Sequence, residues 1–168
     1  MVAPTSQLRP PTSSNSVSGL QFAPSAQTPA SRAMLMKEGQ LPSILVVDDN
    51  QDNTDIIQHY LEVRGYPITV AHDGDEALQL FETVRPNLVL LDVMMPGRDG
   101  WEVCRLMKQH RDLGKNVRII MVTALDEWDD KRQAIQTGAD DYVEKPFDLA
   151  RLAQAVERNA ALLPATAP

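Results

Sequence analysis

The chain has 168 residues, of which 43% are hydrophobic and 23% charged, and a formal net charge of −7. This length is sufficient for one domain with a buried core. Residues 1–40 contain three basic residues and one acidic residue, so residues 41–168 carry a charge of −9. An acidic body argues against nonspecific nucleic-acid binding, which requires clustered Lys and Arg. No apolar run reaches the roughly 18–20 residues of a membrane span. The single cysteine excludes an internal disulfide and suits a reducing compartment.

Residues 1–40 differ in composition from the rest of the chain, because they are rich in Pro, Ser, Thr, Ala and Gln and have no sustained apolar periodicity. Such a segment cannot bury enough apolar surface to offset the entropy lost on ordering, so we predict a disordered tail. It lacks the apolar core of a secretory signal. Two alternatives remain open: the segment is an organelle transit peptide, or the chain truly begins at Met34 or Met36. We predict one domain over residues 41–163 and a short tail over residues 164–168.

Five short apolar runs predict β-strands, and segments with a helical spacing of apolar residues follow them. The runs are Ile44–Val47, Ile68–Ala71, Leu88–Leu91, Val117–Val122 and Asp141–Val143. The helical stripes are Ile56, Ile57, Tyr60 and Leu61; Ala77, Leu80, Phe81 and Val84; Trp101, Cys104, Leu106 and Met107; and Leu149, Leu152, Ala153, Val156 and Ala160. A further helix, fourth in chain order, is expected over about Glu127–Thr137, where few residues are apolar.

This alternation of strands and helices indicates an α/β fold in which a parallel sheet has helices on both faces. The runs ILVV and LVLL are apolar throughout, as expected for strands that are covered on both sides. In open sheets of this kind, ligands bind outside the carboxyl ends of the strands. The residues that end each strand are therefore the candidates for function.

Polar residues end four of the five predicted strands. Asp48 and Asp49 follow the first strand, Asp92 ends the third, Thr123 the fourth and Lys145 the fifth. Each has an ordinary structural interpretation, as a turn or helix-cap residue, a strand former or a solvated charge. Together they would bring three carboxylates, a hydroxyl and an ammonium group to one edge of the sheet.

The acidic stretch after the first strand also fits the beginning of a calcium loop. That loop requires Gly at its sixth position and Glu at its twelfth, whereas this chain has Asn53 and His59 there. Clustered carboxylates repel each other and require a counter-charge, which Mg²⁺ supplies in sites with a few carboxylates. Because an Asp carboxylate can also attack phosphorus and form an acyl phosphate, the pattern favours phosphoryl transfer.

The segments ILVVDDN, LVLLDVMMPGRDGWEVCR, IIMVTA and GADDYVEKPFD occur in this order. They resemble the motifs of two-component response-regulator receiver domains, over about Pro42 to Leu163. The resemblance implies a flavodoxin-like, doubly wound five-stranded parallel sheet in the order 2-1-3-4-5, with five helices in three α/β/α layers. It also implies a regulator that accepts a phosphoryl group from a sensor histidine kinase or a histidine phosphotransfer protein, with Mg²⁺ as cofactor.

The resemblance assigns the acidic residues one by one. Asp92 matches the phosphoacceptor, which is also a metal ligand, and Asp49 matches the main Mg²⁺ carboxylate. Asp48 matches a neighbour that acts through a metal-bound water. The backbone carbonyl of Met94 matches the remaining protein ligand.

The resemblance also assigns the residues that respond to phosphorylation. Thr123 and Lys145 match the hydroxyl and the ammonium group that bind the phosphoryl group. Tyr142 matches the aromatic residue that moves when Thr123 moves, and Ala124 matches a small residue beside the site. In the family the bond after the lysine is usually cis, so a cis peptide is expected at Lys145–Pro146.

Two positions differ from family members that hydrolyse their phosphoryl group quickly. Met94 lies two residues after the phosphoacceptor and Leu125 two residues after the switch threonine. Polar side chains at these positions help to place the attacking water in the family, and apolar ones should hinder it. We therefore expect a phosphoryl group that persists well beyond seconds.

The resemblance predicts two surfaces for partners. A histidine kinase or phosphotransfer protein would dock around the phosphoacceptor, on Asn50, Gln51, Asn53, Pro146 and Phe147. An unknown downstream protein would bind the face of the fourth helix, fifth strand and fifth helix. We expect a cytoplasmic monomer or a phosphorylation-dependent dimer that binds neither nucleic acid nor membrane. We expect no output domain, so that the chain is a stand-alone receiver or a fragment of a hybrid kinase or cyclase-type regulator.

Two other classes of function compete with this interpretation. A Mg²⁺-dependent phosphatase of the haloacid-dehalogenase type would need D-x-D after the first strand, and that pattern is absent. A scaffold that works without phosphorylation would not need the complete set of acids, Thr123 and Lys145. We therefore expect no enzymatic activity beyond the chain's own phosphotransfer and slow autodephosphorylation.

Overall fold

The structure, a computed structural model, describes residues 41–124 and 136–163. A five-stranded parallel sheet lies at its centre, with the strand order β2-β1-β3-β4-β5. The strands are β1 (Ile44–Val47), β2 (Ile68–Ala71), β3 (Leu88–Asp92), β4 (Arg118–Thr123) and β5 (Asp141–Glu144). The predicted fold class and the predicted strand order are therefore confirmed.

Helices connect the strands and cover the sheet. The helices of the described ranges are α1 (Gln51–Glu62), α2 (Gly74–Val84), α3 (Gly100–Gln109) and α4 (Leu149–Ala160). Helix α4 is the one that the sequence predicts as the fifth. The predicted fourth helix, about Glu127–Thr137, lies mostly outside the described residues, of which Gln136 and Thr137 are helical. Residues 1–40 and 164–168, predicted as tails, also lie outside the described residues.

Each helix begins at a residue whose side chain accepts a hydrogen bond from a backbone N–H three positions later. These residues are Asn50, Asp73, Asp99 and Asp148. Such caps satisfy one of the free N–H groups of the first turn. All four caps follow strand ends, so they fix the helix starts close to the carboxyl edge of the sheet.

The two faces of the sheet form two hydrophobic cores, because side chains alternate between the faces along each strand. Helices α2 and α3 pack on one face and helices α1 and α4 on the other. The first core includes Leu45, Val89, Leu91, Ile119, Phe81, Trp101 and Met107. The second includes Ile44, Leu90, Ile120, Ile57, Leu61, Leu152 and Val156. Within the described ranges, no helix is both long enough and apolar enough to cross a membrane.

Three residues of the predicted helical stripes are not part of either core. Ile56, Val84 and Leu106 are exposed. The prediction that these residues belong to the apolar helical faces was wrong, because the predicted stripes included apolar residues that lie near the buried ones in the sequence but outside the buried face. On α1, for example, the buried arc consists of Thr54, Ile57 and Leu61, with the spacing of a single helical face.

Strand β5 is fixed at its start by polar contacts at the amino edge of the sheet. The carboxylate of Asp140 accepts hydrogen bonds from the backbone N–H of Ile119, at 2.8 Å, and from Lys108 Nζ. The carboxylate of Asp141 accepts one from the amide of Asn159 in α4, at 2.7 Å. These bonds hold β5 against β4 and α4, and they position the residues that follow its carboxyl end.

Candidate functional site

The parallel register brings the strand-end residues to one edge of the sheet. The pairing of β1 with β3 continues to Leu91, so Asp48 and Asp92 follow side by side. The pairing of β3, β4 and β5 brings Thr123 and Lys145 to the same edge. The sheet therefore assembles in space five groups that are up to 97 positions apart in the sequence.

Three carboxylates meet at this edge. Asp48, Asp49 and Asp92 each place one oxygen within 4.8 Å of the other two. Asp48 and Asp92 are only 3% and 4% exposed, whereas Asp49 is exposed. Like charges this close and this well shielded from water require a cation or several hydrogen bonds to compensate them.

The ammonium group of Lys145 provides part of this compensation. Its Nζ donates to Asp48 Oδ2 at 2.9 Å and to Asp92 Oδ2 at 3.0 Å. The Lys145 side chain is 23% exposed, so both ion pairs are shielded from water and interact more strongly than pairs on an open surface. The structure thus brings together three of the residues that the sequence places at strand ends.

One ammonium group does not fully compensate two buried carboxylates. Burial raises the pKa of Asp92 above its usual value, repulsion from Asp48 adds to this, and the bond to Lys145 opposes it only in part. Burial acts to lower the pKa of Lys145, but its bonds to Asp48 and Asp92 outweigh burial and raise that pKa. The lysine therefore remains charged, and the site retains excess negative charge that favours a second cation.

The raised pKa of Asp92 makes stability depend on pH in the metal-free protein. The pKa of Asp92 in the folded state lies above its unfolded value of about 3.9. At a pH between these two values, the folded state therefore binds more protons than the unfolded state. Stability is then greatest below both values and falls as the pH rises through the folded-state pKa. Asp92→Asn should unfold at a higher temperature than the wild type at neutral pH, and the difference should shrink on acidification. The measurement is the unfolding temperature of both proteins in the presence of a chelator, from neutral to acidic pH. A difference in unfolding temperature that grows on acidification would contradict the prediction.

The predicted switch residues lie on β4 and β5. Thr123 is buried at the end of β4, and its carbonyl accepts a hydrogen bond from the backbone N–H of Lys145 at 2.6 Å. Ala124 is exposed just beyond it. Tyr142 is 45% exposed, so its ring lies largely at the surface in this structure. The bond Lys145–Pro146 is cis, as expected.

The loop after Asp92 is held close to the site. The backbone N–H of Met94 donates to Asp92 Oδ1 at 3.3 Å, and the Met94 side chain is 63% exposed. A Cβ atom on Gly100 would lie 2.1 Å from the Asp92 carbonyl oxygen. Helix α3 can therefore begin against this strand end only with Gly100 at its first position. The sequence alone does not indicate this role of Gly100, because the requirement depends on how the helix meets the strand.

Arg98 is a second residue whose role is not evident from the sequence. Its Nε lies 2.9 Å from Asp75 of α2, and its Nη1 lies 2.7 Å from Glu102 of α3. These ion pairs join the loop after Asp92 to two helices. Nothing in the local sequence pairs Arg98 with Asp75, 23 residues away.

The five residues predicted to dock a partner do not share one environment. Asn50, Gln51 and Pro146 are exposed at the edge of the site. Phe147 is half-buried and packs against the core under α1 and α4. Asn53 is half-buried, and its side-chain amide donates to Asp48. Leu125 and most of the predicted fourth helix lie outside the described residues, so the predictions that depend on them are untested.

A sheet of this order with an acidic edge and a bridging lysine defines a receiver-type α/β domain. A family profile described as the response regulator receiver domain matches residues 44–157. The chain therefore belongs to the response regulator receiver domain family, which serves two-component signalling.

Solved structures support this assignment. The chain is similar to the receiver domain of Francisella response regulator 1452, with 34% identity and a TM-score of 0.64 over 71% of this chain and 96% of that one. It is similar to the signal receiver domain of a signal transduction histidine kinase from Syntrophus aciditrophicus, with 32% identity and a TM-score of 0.69 over 75% and 95%. Chemotaxis protein CheY4 of Vibrio cholerae is 28% identical, with a TM-score of 0.67 over 70% and 98%.

Proposed function

We propose that this receiver domain accepts a phosphoryl group on Asp92 from a phosphohistidine in a two-component phosphorelay. The single observation that carries the proposal is the contact of Lys145 Nζ with the oxygens of both Asp48 and Asp92 at a shielded sheet edge. A nucleophilic carboxylate, a fixed cation and a neighbouring hydroxyl are the groups that phosphoryl transfer requires.

The same residues fit a magnesium ion. All donors are oxygens, and the three carboxylates offer atoms within 4.8 Å of one another. Two ligands of one Mg²⁺ lie up to about 4.2 Å apart, because each bond is about 2.1 Å. A small movement of the carboxylates would therefore bring all three oxygens within reach of one ion. We propose that Asp49, Asp92 and the carbonyl of Met94 hold the ion, with Asp48 acting through a water. When bound, Mg²⁺ supplies the positive charge that offsets the carboxylates and the phosphoryl oxygens.

In the proposed reaction, a carboxylate oxygen of Asp92 attacks the phosphorus atom of the phosphohistidine. A P–O bond forms, the P–N bond breaks, and its electron pair remains on the imidazole nitrogen of the donor. The product is an acyl phosphate on Asp92. Lys145 would pair with the incoming phosphoryl oxygens, and Thr123 ends the adjacent strand at the same edge.

Phosphorylation adds about two negative charges to this edge. We propose that Thr123 moves toward them and that Tyr142, which lies largely at the surface in this structure, turns inward. This change would alter the face formed by β5, α4 and the predicted fourth helix, where a downstream protein binds. The exposed residues Asn50, Gln51 and Pro146 are proposed to dock the histidine kinase or phosphotransfer protein.

The chain would act in the cytoplasm, as a monomer or as a dimer that forms on phosphorylation. It would bind neither nucleic acid nor membrane. It would catalyse its own phosphotransfer and slow dephosphorylation, without acting on other substrates. The single cysteine, Cys104, is buried, which suits a reducing compartment.

Acetyl phosphate, a small phosphodonor, tests the proposal without a cognate kinase. With Mg²⁺ the protein should gain one phosphoryl group in an acid-stable, base-labile bond, and chelator should prevent this. Asp92→Asn should remain unlabelled, whereas Asp112→Asn, at an exposed acid, should be labelled like the wild type. Turnover of general phosphate esters would indicate a hydrolase. Absence of labelling in folded wild type with Mg²⁺ would indicate a scaffold.

A further inference from the structure

Both oxygens of the Asp48 carboxylate accept hydrogen bonds from protein donors. Oδ1 accepts from the backbone N–H of Asn50 at 2.9 Å and from Asn53 Nδ2 at 3.2 Å. Oδ2 accepts from Asn53 Nδ2 at 3.2 Å and from Lys145 Nζ at 2.9 Å. Because three separate donors contact the two oxygens, Asp48 is held in one orientation.

Among these donors, the amide of Asn53 is the one that contacts both oxygens. Such a contact fixes the plane of the carboxylate, whereas a donor to a single oxygen leaves rotation about the last side-chain bond free. The group that faces two carboxylate oxygens must be the NH₂ group, since the amide oxygen would repel them.

Asn53 is itself fixed in place by the start of α1. Its backbone N–H donates to the side chain of the cap residue Asn50 at 3.3 Å, and its side chain is half-buried. The backbone of Asn53 therefore completes the helix cap, and its side-chain amide takes no part in that cap. A role in helix formation can thus be separated from a role at the site.

We propose that Asn53 is a positioning residue of the phosphorylation site rather than a partner-docking residue. Its amide fixes Asp48, Asp48 holds the ammonium group of Lys145, and Lys145 contacts Asp92 in turn. The inference rests on the proposed function, because it assigns Asn53 a part in preparing the site for Mg²⁺ and phosphoryl transfer. Groups that orient metal-site carboxylates from outside commonly contribute about 10- to 100-fold to metal affinity or activity.

The first test measures Mg²⁺ binding by calorimetric titration, without any phosphodonor. Asn53→Ala should bind Mg²⁺ about 10-fold more weakly than the wild type. Asn53→Leu, which keeps the branched side-chain skeleton but has no donor, should be equally weak. Ile57→Val is the matched control, because it removes one buried methylene from the same helix, where Ile57 packs among apolar residues of the core. It should lose stability and bind Mg²⁺ like the wild type.

The second test asks whether Asn53 acts through Asp48. In an Asp48→Ala background, adding Asn53→Ala should leave Mg²⁺ affinity unchanged, because residues that act through one contact are not additive. With acetyl phosphate at saturating Mg²⁺, Asn53→Ala alone should also be labelled several-fold more slowly than Ile57→Val.

The outcomes separate this inference from the proposed function. If the wild type binds Mg²⁺ and is labelled on Asp92, and Asn53→Ala does the same with unchanged affinity, the positioning role is wrong and the proposed function stands. Tighter Mg²⁺ binding by Asn53→Ala would also overturn it, since the amide would then compete with the metal. If the wild type itself neither binds Mg²⁺ nor is labelled, both are wrong.

Discussion

Replacement of Lys145 by methionine is expected to slow the phosphorylation of Asp92 by acetyl phosphate by about 100- to 1,000-fold, the usual effect of removing one positioned electrostatic group. Lys145 Nζ lies 3.0 Å from Asp92 and 2.9 Å from Asp48. Methionine keeps much of the side-chain length but removes the ammonium group that contacts both carboxylates. The measurement is the initial rate of labelling at saturating Mg²⁺.

Lys108→Met provides a matched control for this substitution. Lys108 is also a largely shielded lysine in an ion pair, with Asp140, and its side chain is 18% exposed. It lies at the amino edge of the sheet, at the opposite end from Asp92. Lys108→Met should lose stability and be labelled at the wild-type rate. Equal rates for Lys145→Met and Lys108→Met, both folded, would show that the lysine has no part in phosphoryl transfer.

The phosphoryl group on Asp92 is expected to be long-lived, and Met94→Asn is expected to shorten its lifetime by about 100-fold, near the lower limit for a positioned polar group. The Met94 side chain is 63% exposed beside Asp92 and offers no polar group to hold an attacking water. Leu125→Glu should also shorten this lifetime, because Leu125 is the second position where the sequence has an apolar residue. The measurement is the loss of label after removal of the phosphodonor.

Leu162→Asn is the control for the change at Met94. Leu162 is exposed to a similar extent, 61%, and follows α4, away from the site. Its replacement by asparagine should leave the lifetime unchanged. Loss of label within seconds from the wild type, unaltered by Met94→Asn or Leu125→Glu, would refute the expectation.

The sequence predicts the sheet and its acidic edge well because both depend on simple periodic rules. Strands buried on both faces are apolar throughout, and a parallel sheet places its carboxyl ends together. Asp48, Asp92 and Lys145 can therefore be grouped from the sequence. To predict that these three residues are in contact, only the strand order and the register of the sheet are needed as well.

Other features could not be predicted because they depend on how separate elements meet. Gly100 is required because α3 begins against the carbonyl of Asp92. Arg98, in the loop between β3 and α3, forms an ion pair with Asp75 of α2. The amide of Asn53 reaches Asp48 only because the capped start of α1 turns it back toward β1. Neither spacing nor composition indicates such contacts.

The central claim is that the carboxylate of Asp92 becomes an acyl phosphate, and reductive trapping tests it most directly. Borohydride reduces an aspartyl phosphate to homoserine, which peptide mass spectrometry can locate in the sequence. After treatment with acetyl phosphate and Mg²⁺, we expect homoserine at position 92, and none when a chelator replaces Mg²⁺. Homoserine at another acidic position, or its absence from folded protein treated in this way, would contradict the account.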